Sequence, residues 1–258
     1  MPLYVACVLQ LLNAAIAGVI TPESNPSVLR KGRSLDLREA NPFGALRRLF
    51  GRAKLLRNAA CMYALVALAR NSLDAQFINY ASIRFGWTSQ QSGPVMVIVG
   101  LMLAIAPRIL VPMLGLQTAL LSGLLIFAAG LIGTGLAPTP LQFVAWIFVV
   151  SVGCMAVPAL QALITNLANP DERGALLGAL GSLSELTSAI ASTMYAAVLA
   201  AFTSESPPWG LKLQGMHFIV GAGFLLLAFV IASHTFARYA ADVARISTGA
   251  DVSLSAEY

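Results

Sequence analysis

Between Val157 and Ile190 two long apolar segments meet at one short polar turn. The turn, Asn166 to Gly174, carries Pro170, which cannot continue a helix. Asp171 and Glu172 follow it and favour the positive end of the next helix dipole. On either side the chain stays apolar for more than twenty residues, with Glu185 the one charged interruption. Runs of that length reach across the ~30 Å hydrocarbon core of a bilayer. Lipid offers no partner to backbone N–H and C=O groups, and these runs are too long and continuous for barrel strands, so they must be helices.

The rest of the chain repeats that plan. Of 258 residues, 58% are hydrophobic and 10% charged, with a mean hydropathy of +0.78. Soluble domains carry roughly 25% charge, so the expectation is an all-α polytopic membrane protein with the lipid bilayer as its first partner. Seven transmembrane helices are expected at about 3–20, 58–80, 92–112, 117–136, 140–166, 173–202 and 213–236. Cys7, Cys61 and Cys154 all fall within these segments and read as small packing residues rather than a disulfide framework.

Residues 1–21 form the first helix, and 22–57 a polar linker that holds nine of the sixteen Lys and Arg residues. Only Glu23, Asp36 and Glu39 oppose them. Such a cluster beside membrane helices stays cytoplasmic, with contact to anionic lipid as a second use. It argues against reading residues 3–20 as a cleaved signal peptide, which would place the cluster outside. Asn41-Pro42-Phe43-Gly44 before Ala45–Leu56 suggests a short amphipathic helix at the interface. Arg108, Arg173, Arg238 and Arg245 fall on the same side, while Arg84 and Lys212 fall on the other. The N-terminus is therefore expected outside and the C-terminus inside, with 237–258 a disordered cytoplasmic tail. The +5 net charge is local and does not suggest nucleic acid.

Polar residues stand where lipid should be. Segment 58–80 carries Arg70, Asn71, Asp74, Gln76, Asn79 and Tyr80. Arg70 and Asp74 are four apart and able to pair, while Gln76 and Asn79 point elsewhere. A charge at membrane depth costs at least ~2.5 kcal/mol unless paired or wetted. This helix should then face the bundle interior or an aqueous cavity, its ion pair serving either structure or a solute or proton pathway. Glu185 shares a stripe with Gly178, Gly181, Ser188 and Ser192, small residues that permit close approach of a helix or ligand. Gln161 shares a face with Ser151, Cys154, Pro158 and Thr165, and Pro158 bends that helix. Arg70, Asp74, Gln76, Asn79, Gln161 and Glu185 are thus the candidates for a substrate or proton pathway. His217 and His234 lie near the ends of the last span and read as interfacial. There is no HExxH, no CxxC pair, no glycine-rich phosphate loop and no Ser/His/Asp set. Neither enzyme chemistry nor a cofactor or metal is expected.

The stretch that opened this reading resembles the major facilitator superfamily, in particular helices ten and eleven of its tetracycline/proton antiporter-like members. The matching residues are Pro158-Ala159-Leu160-Gln161, Asp171-Glu172-Arg173-Gly174 and Gly178–Thr187. Pro22-Glu23 and Asn41-Pro42 look like the end of helix six and the long central loop, and the chain is also similar to the hippocampus-abundant-transcript-like branch. The resemblance implies helices 6–12 of the major facilitator fold, with 58–236 as the six-helix C-terminal half. It further implies a secondary transporter that moves a small solute by alternating access, with protons as the coupling partner. The family's cytoplasmic gate would fall on Arg108, Asp171, Glu172 and Arg173. The loop corresponding to its basic gating loop keeps Gly115 and Gly123 but has only Arg108, which puts that salt bridging in doubt. Helices one to five of the N-terminal half have no counterpart, and solute sites lie between halves. The chain reads as a fragment, or as one half that pairs with a missing N-terminal half or a second half-transporter. Two other readings stay open: a seven-helix receptor, and a membrane scaffold that transports nothing.

Overall fold

The computed structural model describes residues 2–20, 50–51, 54–167 and 173–239. Two units divide the chain, residues 1–39 and 40–258. In the first, the uncharged helix α1 runs Pro2–Val19. Its 18 residues rise ~27 Å at 1.5 Å each, just short of the bilayer core. Most of the basic linker, and the tail after Tyr239, lie outside the described residues.

The regular structure of the second unit's described residues is helical, with α2 (Lys54–Asp74), α3 (Phe77–Phe85), α4 (Ser89–Leu114), α5 (Leu116–Leu136), α6 (Pro140–Gly153), α7 (Ala156–Asn166), α8 (Arg173–Thr203) and α9 (Met216–Arg238). Five stretches are long and apolar enough to cross a membrane: α4, α5, α6 with α7, α8 and α9. The α2 helix is as long as α5 but carries too many polar residues to count among them.

Local chemistry sets the helix ends. Gly86 closes α3 in the left-handed conformation (φ 66°), its N–H donating to the Ser82 carbonyl. The Thr88 N–H donates to Gln91 Oε1 at 3.0 Å at the start of α4. Thr139 Oγ1 accepts from the Gln142 N–H at 3.3 Å, with Pro140 in the first helical position of α6. Gly115 alone separates α4 from α5, at φ 77° and ψ 158°, a conformation that an L side chain would strain.

Two of the expected spans are broken. Segment 58–80 divides at Ala75–Gln76 into α2 and α3, and segment 140–166 divides at Cys154–Met155 into α6 and α7. The second break has a plain cause. In an uninterrupted helix the Cys154 carbonyl would pair with residue 158, but Pro158 has no N–H, and the Val157 N–H reaches it instead at 3.0 Å. The bend expected at Pro158 is thus expressed three residues upstream of it, and the proline sits in the first turn of α7.

The core lies where α9 packs between α2 and α5, with α6 and α7 against α5 and α8 against α2. Small residues allow this closeness. A Cβ added to Gly130 would sit 2.8 Å from the backbone nitrogen of Val150, and one on Gly153 would sit 2.5 Å from Phe127 Cα, so α5 and α6 touch backbone to backbone. Gly135 and Gly215 bring α5 and the start of α9 together in the same way, and Gly221 seats α9 on Ser72 of α2. Helix α4 is peripheral, with only Ser92 and Ala106 buried.

Candidate functional site: a polar cleft along α2

Tyr63, Ala67, Arg70 and Asp74 recur at helical spacing and so line one face of α2. That face opens into a cleft of about 200 Å³, closed by Val66 and Asn71 of the same helix, Val157 of α7, and Ser184 and Ser188 of α8. Across the cleft, the Ser188 hydroxyl donates to Asn71 Oδ1 at 3.0 Å. The Asn71 amide donates to the Ala67 carbonyl at 2.8 Å, which holds its oxygen toward α8.

Arg70 Nε donates to Asp74 Oδ2 at 2.9 Å, the i, i+4 pair expected from spacing. The two side chains are 44% and 52% exposed, so the cleft is open rather than sealed. Asp74 is the last residue of α2, where the negative end of the helix dipole disfavours a carboxylate. The guanidinium one turn back offsets that. Arg70 and Asp74 are the charged residues that line the cleft, and together they leave it neutral.

The remaining candidates distribute around it. Gln161 Nε2 donates to the Tyr63 hydroxyl at 3.3 Å, so Gln161 braces a cleft-lining ring from α7. Gln76 is buried and accepts from the Asn79 amide at 3.2 Å, while Asn79 is exposed; neither lines the cleft. Glu185 lies between the cleft serines in sequence but is exposed on the adjoining face of α8. That face is open: a Cβ added to Gly178 or Gly181 would meet nothing within 4 Å, and Ser192 is exposed. Arg108 is exposed on α4, and Arg173 is the exposed first residue of α8. Asp171 and Glu172 lie outside the described residues, so the geometry of the expected gate is not on view.

Two polar cleft residues, Tyr63 and Ser184, carry no charge and are not among the sequence candidates, while Ser188 belongs to the small-residue stripe of Glu185. For Tyr63 the signal is the repeat 63, 67, 70, 74, which the charged residues overshadow. Further bonds make α2 the polar hub of the unit. The Asn58 amide donates to Thr235 Oγ1 of α9 at 3.1 Å, and the Tyr195 hydroxyl of α8 donates to the Leu68 carbonyl at 3.0 Å.

Beyond the break at Gln76 the chemistry changes. Phe77, Tyr80, Phe85, Trp87, Phe143 and Phe218 form a chain of ring contacts, with centroids 5.1 to 6.4 Å apart, that joins α3, α6 and α9. His217 belongs to it, 5.3 Å from Tyr80 and 3.9 Å from Phe218. Its side chain is fully buried by protein, and neither ring nitrogen makes a well-formed hydrogen bond to another described residue, although the Gln214 backbone lies close by.

This arrangement offers paired charges, hydroxyls and an amide around an open cleft between crossing helices, which suits the binding of a small polar solute. The chain is 24% identical over 230 residues to the class C tetracycline resistance protein of Escherichia coli, covering 88% of this chain and 55% of that protein. It is 24% identical over 247 residues to human hippocampus abundant transcript-like protein 1, covering 88% of this chain and 49% of that one. The resemblance is to major facilitator superfamily transporters. Its fold matches the human organic anion transporter MFSD10 (TETRAN) with a TM-score of 0.64 at 21% identity, over 82% of this chain and 52% of that one. No family model matches the chain. It spans about half the length of the major facilitator relatives it matches. The chain is an integral, multi-pass helical membrane protein similar to transporters rather than to enzymes.

Proposed function

We propose that this chain forms the C-terminal wall of a secondary transporter that moves a small solute by alternating access, coupled to protons. The observation that carries the reading is the cleft itself. An arginine, an aspartate, an asparagine and two serines converge from two helices of a bundle whose core is mainly apolar. Paired charges in an open cleft of a helical membrane protein are the kind of group that marks solute or ion pathways. A second six-helix half, on a longer form of the chain or on another protein, supplies the opposing wall. It meets the open face of α8, where Glu185 stands among small residues. Asp74 and Glu185 are the proton-accepting candidates, Arg70 and Asn71 the solute-binding ones, and Gln161, Gln76 and Asn79 support the break and the bend. Seven crossings, with the N-terminus outside and the C-terminus inside, fit the distribution of basic residues. Arg108 and Arg173, with Asp171 and Glu172, lie toward the inner side, where a cytoplasmic gate would close.

The test is transport in vesicles that carry the chain together with its second half. Solute flux is expected to follow an imposed proton gradient and to fall at least tenfold in Asp74→Asn. The thermal unfolding midpoint of that variant should change little, since exposed ion pairs contribute about 0–1 kcal/mol. Unaltered flux in Asp74→Asn would remove the cleft from the pathway; loss of fold would make the pair structural.

A further inference from the structure

Trp209 differs from the other two tryptophans. Trp87 is half-buried in the aromatic cluster and Trp146, 38% exposed, lies with one side against Gly133, whereas Trp209 is 82% exposed, with the Phe202 ring 6.2 Å away. Its backbone is unusual as well. At φ 56° and ψ 17° it is the one non-glycine residue with positive φ among the described residues. In that conformation the Cβ of an L residue crowds its own backbone, and glycine would occupy the position without the cost. Pro207 and Pro208 stiffen the approach. The N–H groups of Gly210 and Leu211 then close the turn on the Pro207 and Pro208 carbonyls at 3.1 and 3.2 Å. The chain thus maintains a strained turn that projects a large apolar ring outward, and packing within the chain does little to offset the strain.

The position of the turn says what does. It lies in the connection between α8 and α9, two helices long and apolar enough to cross a bilayer. A short link between two crossing helices sits at the membrane–water boundary. Tryptophan is favoured there because it combines an apolar body with one N–H donor. Leu211, two residues on, is 52% exposed, and the exposed Lys212 follows it. An apolar pair flanked by a cation is the side-chain order an interfacial segment presents to lipid.

We propose that the Pro207–Lys212 turn is an interfacial anchor, in which Trp209 and Leu211 enter the boundary between headgroups and acyl chains. The anchor ties the ends of α8 and α9 to the membrane surface whether or not the chain transports.

The experiment compares the intact chain with W209F in phosphatidylcholine bilayers whose acyl chains carry bromine at shallow or deep positions. The difference between the two emission spectra isolates Trp209 and leaves the packed tryptophans undisturbed. The expected difference spectrum is blue-shifted and quenched severalfold more by shallow bromine than by deep bromine, with little effect of aqueous iodide. Emission at the wavelength of tryptophan in water, quenched by iodide, overturns the proposal. So does a signal that neither quencher reaches, which would place the ring against protein.

Discussion

His217 shows how far a single residue can depart from its surroundings. Its imidazole is buried against Tyr80 and Phe218, yet neither nitrogen makes a well-formed hydrogen bond to another described residue. A buried polar group left unsatisfied costs about 1–3 kcal/mol, whereas an apolar group of the same shape does not. His217→Phe is therefore expected to raise stability by about 1 kcal/mol, read as a higher midpoint in thermal or denaturant unfolding; a lower midpoint would show that the imidazole has a partner in the membrane. Asp74 presents the opposite case. Its carboxylate sits at the unfavourable end of a helix dipole, and Arg70 on the preceding turn answers it directly. One residue is polar without compensation and the other is compensated locally, so only the second was legible from spacing in the sequence.

At the scale of helices, glycines decide who neighbours whom. Helices α5 and α6 approach until Gly153 lies against the backbone of Phe127 and Gly130 against that of Val150. A side chain at either point meets main chain, which cannot rotate away. Gly153→Ala is expected to push the two helices apart and cost about 1–3 kcal/mol, the usual range for overpacking a well-filled core. Unfolding of the purified protein checks the magnitude, and an unchanged midpoint would mean that the helices separate freely. The breaks belong to this scale too. Pro158 announces the break at Cys154–Met155, because the missing N–H is written in the sequence. No proline or glycine marks the break at Ala75–Gln76. There the backbone departs from helical values at Gln76, φ −119° and ψ 0°, where the polar residues of α2 give way to the aromatic cluster that begins with Phe77.

For the molecule as a whole, α8 is the telling element. One narrow stripe of it, from Ala179 through Leu183, Thr187 and Tyr195 to Phe202, is buried, and the remainder, with Glu185, Gly178 and Gly181, faces outward. A carboxylate directed at hydrocarbon would be expensive; a second protein wall can offset that cost with a cation or hydrogen-bond donors. In vesicles with the second half present, Glu185→Gln is expected to preserve expression and flatten the pH dependence of transport. A pH profile superimposable on that of the unsubstituted protein would exclude Glu185 from coupling.

Length and continuity of apolar sequence were sufficient to make this chain helical and membrane-embedded, because unsatisfied backbone groups leave lipid-exposed segments no other solution. Spacing was sufficient for the Arg70–Asp74 pair, since i, i+4 neighbours meet on any helix. Which helices adjoin, that Ser184 and Ser188 stand across a cleft from Asn71, and that His217 is walled in by rings, were decided by packing. Those contacts join residues far apart in the chain, and side chains of ordinary composition carry no local mark of the partner they will meet.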